Sequence, residues 1–341
     1  RYAIDHGVNY VDTAYPYHRE ESERFVGRAL QDGYRERVKL ATKLPCWKVE
    51  TTEDFDRFLN EQLGKLQTDY IDFYLLHSLG AESWPKMRDL GVLRWAEGAI
   101  ADGRIRHLGF SFHDKLEVFQ EIVDAYDRWD FCQIQYNYMD VDYQAGTQGL
   151  RYAADRGLAV VVMEPIRGGR LAKNIPPAVQ EIWDSAPVQR TPADWALQWV
   201  WNQPEVSLLL SGMSTMQHVE ENLASAERSG VRTLTGDELA LYPKVRAVYE
   251  ELCPVPCTDC KYCLPCPSGV NIPGVFEFYN DLMAYGDKDR AQMFYEAFMK
   301  EEERANRCTE CGECLEKCPQ HIPIREQLKE AHAALSKVGE E

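Results

Sequence analysis

Apolar residues along the chain gather into short runs separated by longer amphipathic stretches. "VNYVDTA" (8–14), "RVKLATK" (37–43), "YIDFYLLH" (70–77), "RHLGFS" (106–111), "FCQIQYN" (131–137), "LAVVVMEP" (158–165) and "VSLLLSG" (206–212) are rich in β-branched or aromatic residues and have the length of strands. The stretches between them read as helices packed by one face. "HDKLEVFQEIVDAYDRW" carries an apolar stripe at about 3.6-residue period. "ESERFVGRALQDG" closes on Gly33, and "TEDFDRFLNEQLGKL" is expected to start behind a Thr cap at 51 or 52. The opening "RYAIDHG" reads as the end of a helix with Gly7 in the cap position, so the chain is expected to begin inside a domain.

This βα repeat, over about 250 residues, predicts a (β/α)8 TIM barrel whose first strand would precede Arg1. The runner-up, an open doubly wound sheet, lacks its mark: no G-x-G-x-x-G turn follows any of the strands. From "LCPVPC" (252–257) the grammar changes to Cys, Pro and short turns. Two helical stretches (271–284 and 288–304) and a last helix, "IREQLKEAHAAL", follow. The expected division is a barrel at 1–250 and a small helical ferredoxin-like domain at 251–341, each half pairing a cysteine run with a helix. The charged run "KEEERANR" (300–307) is expected to be a solvated helix face.

Composition narrows the function. The chain has 341 residues, 45% hydrophobic and 27% charged, enough for one large core and a smaller module. No apolar run approaches the roughly 20 residues that span a bilayer. A formal charge of −17 repels phosphate backbones and acidic membrane surfaces, so neither nucleic acid nor a membrane is an expected partner. Eight of the 11 cysteines fall in two runs, which points to metal binding in a reducing cytoplasm rather than to a disulfide framework.

"CTECGECLEKCP" places Cys308, Cys311, Cys314 and Cys318 on a C-x2-C-x2-C-x3-C-P ruler, and "CTDCKYCLPCP" places Cys257, Cys260, Cys263 and Cys266 on a nearly matching one. Zinc knots usually pair two C-x2-C units across a longer gap, whereas three cysteines at successive x2 spacings before Cys-Pro fit a cubane. Two [4Fe-4S] clusters are expected. In two-cluster ferredoxins the fourth cysteine of each run serves the other cluster. By that rule Cys257, Cys260, Cys263 and Cys318 hold one, and Cys308, Cys311, Cys314 and Cys266 the other. Cys253 is expected to be unligated, and Cys46 and Cys132 to be small buried hydrophobes.

A barrel places chemistry at the C-terminal ends of its strands. Here these ends carry Asp12, Lys43, His77, Ser111, Gln133 and Glu164. Singly each has a plain explanation: Asp12 as a helix cap, Lys43 as a surface residue, His77 as a satisfied core histidine. Together they make coherent chemistry. Reducing a carbonyl leaves an alkoxide that needs a proton, and a tyrosine such as Tyr17 gives one up reluctantly at neutral pH. A cationic Lys43 beside the phenol favours the phenolate, Asp12 would hold that ammonium charged, and His77 would orient the substrate oxygen.

"HGVNYVDTAYPYH" resembles the G-x-N-x-x-D-T-A-x-x-Y signature of the aldo-keto reductases, with Asp12 and Tyr17 at the family's separation. The resemblance continues through "ATK" at Lys43, "LLH" at His77, "GFS" at Ser111, "QIQYN" at Gln133, "MEPIRGGRL" and "EEN", over residues 1 to about 250. The whole chain looks like the branch of that family with an appended ferredoxin-type module. The resemblance implies a catalytic Asp12, Tyr17, Lys43 and His77, and a nicotinamide cofactor, NAD(H) or NADP(H). It implies Ser111 and Gln133 at the carboxamide, Met163 at the nicotinamide face, the loop from Pro165 through Gly168 at the pyrophosphate, and Glu221 and Asn222 at the adenine. Departures are Phe112 and His113 after Ser111, where the family usually has asparagine, and Met163 in place of a stacking aromatic. Gly212 and His218 stand where members that prefer a 2′-phosphate carry lysine and arginine, which weakens the case for NADPH.

Two readings follow. In the first the chain is an oxidoreductase acting on a small carbonyl or alcohol, with clusters that brace the module or exchange electrons with a redox protein partner. In the second it is an electron-transfer or partner-docking subunit whose barrel does not turn over a substrate. A nicotinamide passes a hydride while a cluster passes single electrons, so direct exchange needs an intermediary such as a flavin. No flavin motif is visible, and a flavin remains open.

Overall fold

A computed structural model describes residues 1–257, 259, 261–318 and 320–336. They form two compact units, Arg1–Gly168 with Asp194–Thr235, and Gly169–Ala193 with Gly236–Glu341. Among the described residues no helix is long and apolar enough to cross a membrane.

The first unit is built on seven strands: β1 (Tyr10–Asp12), β2 (Lys39–Leu44), β3 (Ile71–Leu79), β4 (Ile105–Phe112), β5 (Phe131–Gln135), β6 (Ala159–Met163) and β7 (Val206–Leu209). Each pairs in parallel with the next, in strict sequence order. A doubly wound sheet reverses its strand order at a switch point; this one does not. Tyr10 of β1, Ala41 of β2, Phe73 and Leu75 of β3, Phe131 of β5, Val161 of β6 and Leu208 of β7 meet in one apolar cluster. Side chains from first to last strand reach a common centre only where the sheet curls on itself, so the barrel expectation holds. Gly109 is required by this packing: a Cβ there would lie 2.5 Å from the Phe131 carbonyl oxygen on the neighbouring strand.

Helices lie where the amphipathic stretches predicted them, including Ser22–Ala29, Glu53–Leu66 and Leu116–Asp124. The helix Glu53–Leu66 starts directly behind Thr52, as expected, but the threonine supplies no cap. Thr52 is already helical and makes no capping bond; the Asp54 carboxylate instead accepts the N–H groups of Glu50 (2.7 Å) and Thr51 (3.0 Å). An ionised acceptor holds these donors more strongly than a hydroxyl does, and the same bonds lower the Asp54 carboxyl to about 2.

In the second unit, helices Ile272–Tyr285 and Ile324–Leu335 pack together around Val275, Phe276, Tyr279, Leu328, Ala331 and Leu335. Each follows one cysteine run. Helix Lys288–Phe298 stops short of the expected residue 304, and the run at 300–307 is not a helix face. It folds as two 3-10 turns, Glu301–Glu303 and Ala305–Arg307. Arg304 bends back to donate to the carbonyls of Glu296 (2.9 Å) and Met299 (3.3 Å), satisfying acceptors at the end of that helix. Ala305 is thereby drawn into the core, where its N–H donates to the Tyr295 hydroxyl at 3.0 Å.

Candidate active site and cysteine cavities

Asp12 ends β1 and Lys43 is the penultimate residue of β2, so both stand at the C-terminal edge of the sheet. The Lys43 ammonium is wholly enclosed. It donates to both Asp12 carboxylate oxygens at 2.7 Å and to the Thr13 carbonyl at 2.8 Å. Burial pushes the Asp12 carboxyl up, and the adjacent Lys43 charge pulls it back down. Tyr17 sits on the turn after β1, partly exposed, with its ring centroid 5.0 Å from Lys43 Nζ. The next three residues, His18, Arg19 and Glu20, all have left-handed backbone (φ 51°, 57° and 69°), which winds the chain tightly into helix Ser22–Ala29.

His77 reaches the same place through an irregularity in β3. Leu76 pairs with Phe110 and Leu79 with Phe112, so two residues, His77 and Ser78, oppose the single Ser111. Such a bulge re-aims side chains and leaves an N–H without its ladder partner. The Ser111 hydroxyl accepts that N–H from Ser78 at 2.8 Å. The His77 ring lies 6.1 Å from Tyr17 edge to face and 5.1 Å from Trp47, and its Nδ1 is buried without a partner. Burial, with Lys43 and His113 nearby, lowers its pKa to about 3, so the imidazole is neutral at ordinary pH. The four residues named from the sequence therefore form one cluster.

Beneath it lies a network the sequence reading missed. The carboxylate of Glu23, fully buried, accepts from Thr42 Oγ1 and Gln62 Nε2, both at 2.6 Å. Gln62 Nε2 also donates to the Lys43 carbonyl at 2.9 Å, and its Oε1 accepts from the Tyr74 hydroxyl at 2.7 Å. Polarity gave no signal of it: in helix Ser22–Ala29 Glu23 and Gly27 face inward while Phe25 is exposed, the reverse of what polarity suggests.

The residues assigned to a nicotinamide also lie in this unit. Ser111 and Gln133 are directly paired on β4 and β5, both buried. Gln133 Nε2 is 3.5 Å from Met163 Sδ, and its Oε1 is buried without a partner. An orphaned amide oxygen beside a serine hydroxyl fits a carboxamide, which can donate to one and accept from the other. Pro165 is buried, whereas Gly168 (φ 62°) and Gly212 are exposed. Helix Met216–Glu227 is capped by Thr215, whose hydroxyl accepts the His218 N–H. On it Glu221 accepts from Gln217 (2.7 Å) and Asn222 donates to Ser211 (2.9 Å). Arg167 lies 3.5 Å from Asp140, and in the second unit Arg170 is ion-paired with Asp281.

The cysteines of the second unit line two cavities. One is walled by Cys263, Cys266, Cys308, Cys311 and Cys314. The other is walled by Cys257, Cys263 and Cys318. The first takes two cysteines from the first run and three from the second, and the other takes two from the first run and one from the second, so cysteines of both runs meet at each. Cys260 lies outside the described residues. Six of these cysteines pack against the apolar core of the unit, and the Ser268 and Thr309 hydroxyls join the runs at 2.8 Å. Among the described residues no three ligating side chains converge as they would on a single metal ion, but thiols of two runs gathered around each space are the donor type that iron–sulfur clusters take. Cys46 and Cys132 are buried in the barrel, as expected, and burial pushes the Cys46 thiol up to about 12.

Comparison with known proteins is consistent with both units. The profile of the Aldo/keto reductase family matches residues 1–233, and that of the 4Fe-4S dicluster domain matches residues 256–322. The chain is 28% identical over 255 residues to methylglyoxal reductase YeaE of Escherichia coli, covering 72% of this chain and 82% of that protein. It is 25% identical over 263 residues to the NADH-specific methylglyoxal reductase of the same bacterium, covering 64% and 78%. Among solved structures, aldo-keto reductase AKR11C1 of Bacillus halodurans superposes with a TM-score of 0.59 at 26% identity, over 71% of this chain and 83% of that one. An aldo-keto reductase of Klebsiella pneumoniae in complex with NADPH gives 0.58 at 26%, over 72% and 82%.

Proposed function

The chain belongs to the aldo/keto reductase family and carries a 4Fe-4S dicluster domain, and we propose that it interconverts a small carbonyl and its alcohol with a nicotinamide cofactor. The barrel chemistry is assigned to residues 1–250 and the cluster chemistry to 251–341. A single observation carries the reading: a fully buried lysine, held by both oxygens of Asp12, stands beside the ring of Tyr17. Enclosing a charge pair is costly, and a barrel used only for docking has no use for it at a strand edge.

A nicotinamide held there would supply or accept the hydride. Ser111 and Gln133 are assigned to its carboxamide, with Met163 against the ring face. The loop at Pro165 and Gly168 is assigned to the pyrophosphate, and the region of Gly212, Glu221 and Asn222 to the adenosine end. Tyr17 gives its phenolic proton to the nascent alkoxide and takes it back in the reverse direction. Lys43 stabilises the phenolate that remains, and Asp12 keeps Lys43 charged and in place. His77, neutral, has no proton to surrender as an acid; it donates an N–H hydrogen bond to the substrate oxygen and orients it toward Tyr17.

Cys257, Cys260, Cys263 and Cys318 are assigned to one [4Fe-4S] cluster, and Cys266, Cys308, Cys311 and Cys314 to a second. Grouped thiols of this kind favour a reducing compartment such as the cytoplasm.

The test is an anaerobic assay of the full-length protein against small aldehydes and ketones, methylglyoxal first, with NADH and NADPH in parallel. We expect carbonyl-dependent oxidation of the nicotinamide, with NADH at least as effective, since Gly212 and His218 bring no lysine or arginine to a 2′-phosphate. Nicotinamide binding without turnover of any carbonyl would favour the electron-transfer reading, and cofactor extraction from the same preparation reports whether a flavin is present.

A further inference from the structure

The two cysteine cavities are unlike in what surrounds them. The cavity of Cys257, Cys263 and Cys318 is lined mostly by Ile272, Pro273, Phe276, Ile322 and Ile324, with Gln320, and among the described residues its one cation, Lys261, faces Asp259 at 3.6 Å. The cavity of Cys266, Cys308, Cys311 and Cys314 shares Cys263 and Ile272 with the first and has Leu328 as well, but adds Ser268, Thr309 and Arg325 to its lining. Arg325 Nε is buried at that wall with no hydrogen-bond partner, and the nearest carboxylate contact of its guanidinium, to Glu326, is long at 3.8 Å. Cys311 is exposed. The Arg325 side chain is 36% exposed, but its Nε–H is covered, and a covered donor left unpaired beside thiols is costly unless something there accepts it.

We infer that Arg325 tunes the cluster held by Cys266, Cys308, Cys311 and Cys314, donating its Nε–H to a sulfur of that cluster and making it the easier of the two to reduce. The inference rests on the reading of these cavities as two cluster sites. Its physics is direct. A cluster bound by four thiolates is anionic, and adding an electron makes it more so; a guanidinium at its edge stabilises the reduced form more than the oxidised one. Hydrogen bonds to sulfur and exposure to water act in the same direction; Arg325 Nε is a donor without a partner at this wall, and Cys311 is exposed. The apolar cavity offers the opposite setting, with a lysine whose charge is answered by Asp259. An electron entering the module therefore comes to rest at the second-run cluster, the one whose Cys311 reaches the surface.

The test is a redox titration of anaerobically prepared full-length protein, each cluster taking one electron from the titrating reductant, followed by electron paramagnetic resonance. Signals are assigned with Cys266→Ala, which should remove the second-run cluster. In the wild type the second-run signal should develop at the higher potential. Arg325→Leu should lower that potential and leave the first-run cluster where it was, while Lys261→Leu should move neither by as much. Arg325→Lys, which keeps the charge but loses Nε–H, should give a smaller shift of the same sign and serves if the leucine variant does not load. Unchanged potentials in fully loaded Arg325 variants, or a wild type in which the first-run cluster is reduced first, would overturn the inference. Wild-type protein that binds no iron and sulfide overturns instead the cluster reading beneath it, a result read from metal content alone.

Discussion

Asp12 holds Lys43 with both carboxylate oxygens, each 2.7 Å from Nζ, in a pair whose lysine is closed off from solvent. Removing one partner leaves the other's charge without compensation. Lys43→Met should therefore destabilise the protein by about 3–5 kcal/mol. The double variant Asp12→Asn, Lys43→Met should cost less than the sum of the single changes, because it removes both charges. Denaturant unfolding of the three variants measures this, and strictly additive losses would show that the pair is not coupled.

Tyr17→Phe keeps the ring over which Lys43 lies and deletes only the hydroxyl. Turnover of a carbonyl should fall by about 10²–10⁴-fold, while nicotinamide affinity, measured by fluorescence titration, should stay nearly unchanged. A variant as active as the parent would remove Tyr17 from the proton-donor role.

His77 titrates near 3 in the folded protein and near 6.5 when unfolded. The unfolded chain therefore binds a proton at this residue that the folded chain refuses, between those two values. The neutral-His contribution to stability is complete above about pH 6.5 and is lost as pH falls toward 3, at no more than about 1.4 kcal/mol per pH unit. His77→Gln should flatten the stability profile between about pH 4 and 6, measured by denaturant midpoints at stepped pH. The parent should also show no kinetic inflection from this residue between pH 5 and 8, where its charge does not change. A profile as steep in the variant would mean that His77 is not the group responsible.

Anaerobic protein should contain about eight iron and eight sulfide per chain, as two four-iron clusters require. Cys266 belongs to the first run in sequence but lines the cavity of the second. Cys266→Ala should accordingly lose about half the iron and the spectrum of the second-run cluster, leaving the other. Loss confined to the first-run cluster would mean that the ligands do not cross.

The strands and the site were largely legible because parallel strands buried on both faces must be apolar throughout, so a polar residue ending one stands out. Asp12, Lys43 and His77 were found that way. The bulge at His77 and Ser78 was not, since it depends on register against β4, and Ser111 consequently has a task in the bare fold that spacing does not reveal: it receives the Ser78 N–H. Glu23 was hidden by its charge, which reads as a solvated helix position until Thr42 and Gln62 are seen to surround it. The run at 300–307 misled in the opposite sense. Its helix-forming composition gave no sign that Arg304 turns back on Glu296 and Met299 and ends the helix early.

The crossed walls of the cysteine cavities also order events in time. A ribosome releases Cys257 and Cys263 well before Cys318, yet all three enclose one space. Neither cavity is complete when the first run has been made: one awaits Cys308, Cys311 and Cys314, the other the last cysteine of the second run. Until then the early thiols face the cell as open ligands, able to bind stray metal or to oxidise. Completion of this module is therefore late, and a chain interrupted before Cys318 would leave open the space that Cys257 and Cys263 share with it.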